Sequence, residues 1–166
     1  MDADLLADQR GFDVVLLDAH RRWEWALVQL NGQVPVARHD GGPVAAEVLS
    51  RLDAEIEGHI VARLRVIDPL LAGGRDIPGL REITGQVSEG LACLARRSSG
   101  RAPDPASLAH LAGAVRRLID IESCELLPRL EGLTAPDERA DLRQRFIAAR
   151  DHRPARPVRG PSAQRA

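Results

Sequence analysis

The sequence predicts an all-α protein, an up-down-up-down four-helix bundle followed by a short C-terminal helix and a disordered tail. Three observations carry that expectation. Turn-forming punctuation divides the chain into four stretches of helical length; apolar residues in each recur at alternating spacings of three and four; and strand signals are nearly absent, with aromatic residues at only 2% and no long period-two alternation. A length of 166 residues, 44% hydrophobic and 28% charged, suits one soluble domain. We place it at residues 1–150, with 151–166 as a flexible Arg- and Pro-rich tail.

The punctuation falls at Asn31-Gly32, Gly41-Gly42-Pro43, Gly73-Gly74, Ser98-Ser99-Gly100 with Pro103 and Pro105, and Pro136. In the first stretch Leu16, His20, Trp23, Leu27 and Leu30 form one stripe. The second carries Leu49, Leu52, Ile56, His59, Arg63, Val66 and Leu70, the third Leu80, Thr84, Val87, Leu91 and Leu94, and the fourth Leu108, Leu111, Val115, Leu118, Glu122 and Leu126. Such a spacing is the seam of a helix bundle, and short connections favour antiparallel neighbours. A weaker helix over about Asp137 to Arg150 has Leu142 and Phe146 as its anchors. The residues after it hold too little apolar surface to pack.

Composition excludes several classes. No apolar run is long enough for a membrane span, and Asp2, Asp4 and Asp8 stand where a secretory signal would carry basic residues. The net charge of −1 divides into +4 over Arg150 to Ala166 and −5 before it, so no specific nucleic-acid binding is expected of the body. Every basic residue apart from histidine is Arg, with no Lys or Tyr, the codon bias of a GC-rich bacterial genome. Cys93 and Cys124 form no CxxC pair, lie on diverging helix levels and are too few for a disulfide scaffold, which points to a reducing cytoplasm. No hydrolase, kinase or dehydrogenase fingerprint is present, and an enzyme is not the expected reading.

Each apolar stripe is interrupted at one place, by His20, by His59 with Arg63, by Thr84 and by Glu122. An internal repeat puts these places at one level. His59 is followed by Arg63 at offset four and Pro69 at ten, as Leu118 is followed by Glu122 and Pro128. His20 leads Trp23, Leu27 and Leu30 at offsets three, seven and ten, as Thr84 leads Val87, Leu91 and Leu94. Two similar helical hairpins related by a pseudo-twofold axis would bring the interruptions together in the core. Residues four apart share a helix face, so imidazole and carboxylate groups at that spacing can reach one interior cation. His39, His110 and His152 fit no such position and are expected at the surface. Trp23 is expected to pack, and Trp25 lies off the seam, as a packing residue or as part of an exposed interaction patch.

In these features the chain resembles the hemerythrin-like family, or HHE cation-binding domain, which holds a non-haem di-iron centre in a four-helix bundle. The segments LLDAHRRWEWALVQL, LDAEIEGHIVARLRVIDPLL, EITGQVSEGLACL and LIDIESCELLPRL are similar to its four helices, and IAARDHRPARP to an ending common in bacterial members. The resemblance runs from about Leu16 to Pro157. It implies His20, His59 and Glu122 as metal ligands, and it places Arg63 where a bridging carboxylate belongs and Thr84 and Leu118 where histidines belong. Arginine stays protonated and only donates, so a standard di-iron centre is not expected. Two readings follow. In the first, Arg63 replaces the metal as the cation and pairs with Glu122, giving a metal-free helical binding or regulatory module with a protein partner yet to be found. In the second, His20, His59 and Glu122 hold a single non-haem iron or other divalent ion, and the resemblance then implies handling of oxygen, nitric oxide or peroxide.

Overall fold

The computed structural model describes residues 11–36, 42–72, 76–97 and 104–152. Its elements are α1 (Phe12–Val36), α2 (Gly42–Ala62), a π-helical turn π1 (Arg63–Ile67), α3 (Asp68–Leu71), α4 (Leu80–Arg97), α5 (Pro105–Ile121), a second π-helical turn π2 (Glu122–Leu126), α6 (Leu127–Leu133) and α7 (Pro136–Asp151). The described residues contain no sheet, and no helix among them is long and apolar enough to cross a membrane. The segment placed as a tail lies almost wholly outside the described residues, as does His39.

Four long rods close a ring of neighbours: α1 packs on α2, α2 on α4, α4 on α5, and α5 on α1. The seams expected from the sequence face inward. Leu16, Trp23 and Leu30 of α1 are buried, as are Leu49, Leu52 and Ile56 of α2, Val87, Leu91 and Leu94 of α4, and Leu108, Leu111, Val115 and Leu118 of α5. Start signals match the local chemistry. Asp104 caps α5, its Oδ2 accepting from Ser107 N at 3.0 Å, with Pro105 in the first turn where no N–H is needed. Gly79, at φ 77°, makes the left-handed turn into α4 that a residue with a Cβ resists.

Three expectations need correction. Asn31-Gly32 does not end the first helix, which runs on to Val36. A glycine in a helix costs only about 1 kcal/mol relative to alanine, and the buried Leu30 just before it anchors the rod. The C-terminal helix lies where it is expected, at Pro136–Asp151, with Leu142 and Phe146 as its anchors, but it is neither short nor outside the bundle. It spans 16 residues, packs on α2, π1 and α1, and buries Leu142 and Phe146, so the molecule is a bundle of about five packed helices. Finally, the second stripe does not continue to Leu70, which is only half-buried, but shifts to Ile67 and Leu71.

That shift comes from the π turns. Each closes a hydrogen bond from residue i+5 to residue i, Asp68 N–H to Arg63 O and Leu127 N–H to Glu122 O. One residue beyond each donor stands a proline, Pro69 or Pro128. Proline offers no N–H and its ring crowds the carbonyl four residues back, and widening the preceding turn relieves that conflict without breaking the rod. The sequence repeat therefore reappears as a structural one, with Arg63 and Glu122 each opening a π turn.

Candidate functional site

The interruptions of the four seams converge. His20 from α1, His59 from α2, Arg63 from π1 and Glu122 from π2 are all buried, at 3%, 1%, 2% and 0% exposure, and are the buried polar residues of the described core. Glu122 is their common acceptor. His20 Nε2–H donates to its Oε2 at 2.9 Å, His59 Nε2–H lies 3.0 Å from Oε2 and 3.1 Å from Oε1, and Arg63 Nη1 donates to Oε1 at 3.2 Å. An ionised carboxylate only accepts, so each imidazole carries a proton on Nε2. His20 Nδ1 is then left to face the Ser123 hydroxyl, 3.4 Å away. Burial alone would raise the Glu122 pKa. The charge of His59, the hydrogen bonds from His20 and His59, and the Arg63 guanidinium outweigh it and hold the carboxyl well below the usual carboxylate range.

Thr84 completes the level from α4. Its Oγ1 accepts from Arg63 Nη2 at 2.9 Å and donates to Leu80 O. The guanidinium is thus held by a carboxylate on one side and a hydroxyl on the other. Its Nε lies 3.5 Å from Asp68 Oδ1, an ion-pair distance without hydrogen-bond geometry, and neither atom has another hydrogen-bond partner. Desolvation lifts the Asp68 carboxyl above its ordinary value against the pull of Arg63 and Arg81. Leu118, where the resemblance expects a histidine, is fully buried and apolar.

An aromatic shell encloses the histidines. The Trp23 ring meets His59 edge-on at 4.7 Å between centroids and lies 5.4 Å from His20, while Phe146 of α7 meets His59 at 5.3 Å and Phe12 at 5.1 Å. Apolar rings packed against the histidines lower the local polarity and strengthen the charge interactions beside them.

The sequence reading placed His20, His59, Arg63, Thr84 and Glu122 together, and the structure does so. His110 and His152 are exposed, as is Trp25, while Trp23 is fully buried. Cys93 and Cys124 are both free. Three contributors escaped that reading. Asp68 follows Arg63 at offset five, which points away on an α-helix and approaches only across a π turn; the proline pattern was the available signal. Ser123 is next to Glu122 in sequence and faces His20 through the same widened turn. Phe146 was read as an anchor of its own helix, with no indication that it reaches His59.

Could these residues hold metal? The buried cluster offers three ligands, His20, His59 and Glu122, which is not a full di-iron set, and a guanidinium, a hydroxyl and a leucine stand at the other positions that the resemblance implies. One ligand atom each from His20, His59 and Glu122 lie within 4.8 Å of one another, a set sized for a single ion. In the arrangement described, however, both Nε2 atoms donate protons to Glu122, and Arg63 occupies one of its oxygens. An ion would have to displace those protons and compete with that guanidinium. Comparisons with protein-family models, curated proteins and solved structures give no match to this chain.

Proposed function

We propose that the chain is a hemerythrin-like bundle of up-down-up-down topology whose di-iron site is degenerate, and that it serves as a metal-free helical binding or regulatory module. Arg63 takes the place of the cation. The observation carrying this reading is that Arg63 Nη1 sits 3.2 Å from Glu122 Oε1 in the fully buried layer where His20 and His59 meet the same carboxylate. The closed ring of neighbouring rods, and the placement of His20 and Thr84 early in their helices but His59 and Glu122 at the ends of theirs, support the alternating topology. In this reading the protein works in the bacterial cytoplasm and is not an enzyme.

One observation favours a second reading, the compact His20, His59 and Glu122 set, which would hold one iron or another divalent ion. A single iron would supply oxygen, nitric oxide or peroxide chemistry. His20, His59 and Glu122 would bind it, and Trp23 and Phe146 would limit access of water.

Elemental analysis of protein expressed with added iron, compared with Glu122→Ala, separates the two. The expected result is a folded helical protein with substoichiometric metal that does not change in the variant. Near-stoichiometric iron that is lost in Glu122→Ala would overturn the metal-free reading and establish the single-ion site.

A further inference from the structure

Beyond the buried centre, we infer that the cleft between α1, α2 and the C-terminal turn of α7 is a binding site for a small molecule bearing an oxyanion, a phosphate or a carboxylate, on an apolar body. The cleft holds about 490 Å³. Arg22, Arg51 and Arg150 converge on it from three different helices, against the carboxylates of Glu55 and Asp151.

The guanidiniums are only partly engaged. Arg22 donates from Nε to Glu55 at 3.0 Å, Arg150 from Nε to Asp151 at 2.9 Å, and Arg51 from Nη2 to Glu47 at 3.2 Å. A guanidinium has five N–H donors in a fork matched to phosphate or carboxylate, so most of each fork remains for a ligand.

The cleft also reaches Trp23 and His59, which are fully or almost fully buried. Trp23 Nε1 and His59 Nδ1 have no hydrogen-bond partner. Because His59 Nε2 is turned to Glu122, Nδ1 lies on the ring edge away from the centre. Buried polar atoms are seldom left unpaired, and these two, the Trp23 N–H donor and the His59 ring nitrogen, belong to residues lining the same cleft. Small residues create the space. Ala19 and Ala54 leave a gap between α1 and α2, and they give an apolar surface beside the charges. Gly58 admits α7, since a Cβ there would meet the Arg150 carbonyl oxygen at 3.2 Å, and this close approach sets Arg150 at the cleft.

The site uses no atom of Arg63 or Glu122 and draws on His59 only at Nδ1, the ring nitrogen that does not face Glu122, so it stands whichever reading of the centre holds. The test is titration of the full chain with phenyl phosphate and, separately, phenylacetate, followed by the two indole N–H signals in a ¹H–¹⁵N spectrum; Trp25→Phe assigns them. The expected result is a saturable shift of the Trp23 signal with at least one anion while the exposed Trp25 signal stays still. A response to phenyl phosphate alone identifies a phosphate ligand, and one to phenylacetate alone a carboxylate. Arg51→Gln and Arg22→Gln should each weaken binding about tenfold, the loss of one charge-assisted contact, and Ala54→Leu should abolish it by filling the gap. Arg117→Gln, on α5 away from the cleft, should bind as the parent does. No saturable shift with either anion, an equal response to uncharged phenol, or equal weakening by Arg117→Gln would overturn the proposal.

Discussion

Glu122 accepts hydrogen bonds from three side chains on three other elements, His20 on α1, His59 on α2 and Arg63 on π1, and its burial makes each of them consequential. Breaking a buried pair by removing one member leaves an uncompensated charge, at a cost of about 3–5 kcal/mol. Arg63→Leu should therefore destabilise by roughly 3 kcal/mol in urea unfolding, with Thr84 and Asp68 also losing their partner. Arg63→Leu combined with Glu122→Leu should cost clearly less than the sum of the two single changes, because the second removes the charge that the first strands. An additive cycle would mean that the two groups do not interact in solution. The pH dependence follows from the same carboxylate. Its folded pKa is depressed, so its contribution to stability is complete above the ordinary carboxylate value of 4.5 and is lost progressively as pH falls from there toward the folded value. Unfolding free energies measured between neutral pH and about pH 3 should decline with acid, and Glu122→Gln should flatten that slope. An unchanged slope in the variant would place the acid sensitivity elsewhere.

At the scale of elements, the π turns and α7 do what the long seams cannot. A π turn rotates the rod beyond it, so the face occupied by Arg63 continues through Ile67 and Leu71, and the face occupied by Glu122 through Leu126 and Leu130. Both proline-following segments stay packed while the two charged side chains project into the same layer. The closing element is α7. Pro136 opens its first turn, Glu138 accepts from Ala135 N at 2.8 Å, and Arg139 ties it back to α6 through Glu131 O at 2.8 Å. Phe146 then reaches between Phe12 and His59. Phe146→Ala should cost about 3–5 kcal/mol, the usual cost of removing a buried aromatic ring. Because it opens a cavity against His59, it should also shift the His59 ring signals in an NMR spectrum. A loss below 1 kcal/mol with unmoved histidine signals would show α7 to be a loosely attached cover.

Across the whole molecule, what was legible in the sequence is what depends on periodicity. Apolar residues three and four apart specify rods and the face each rod buries, whatever their neighbours, and Leu16, Ile56, Val87 and Leu111 are buried as that rule requires. The repeat of His59, Arg63 and Pro69 against Leu118, Glu122 and Pro128 was equally readable, and with it the level at which His20, Thr84 and Glu122 meet. Tertiary structure decided the rest, for three physical reasons. A glycine or asparagine weakens a helix by too little to end it when packing continues, so Asn31-Gly32 lies inside α1. The offset-five approach of Asp68 to Arg63 exists only because a turn widens, which no α-helical spacing anticipates. The cleft of Arg22, Arg51 and Arg150 joins three helices whose sequences carry no common pattern, since their meeting depends on Gly58, Ala19 and Ala54 leaving room for it. The sequence by itself determined the rods, their inward faces and the charged groups they carry inside. Only packing in three dimensions determined which proton donors share Glu122, and where a ligand can enter.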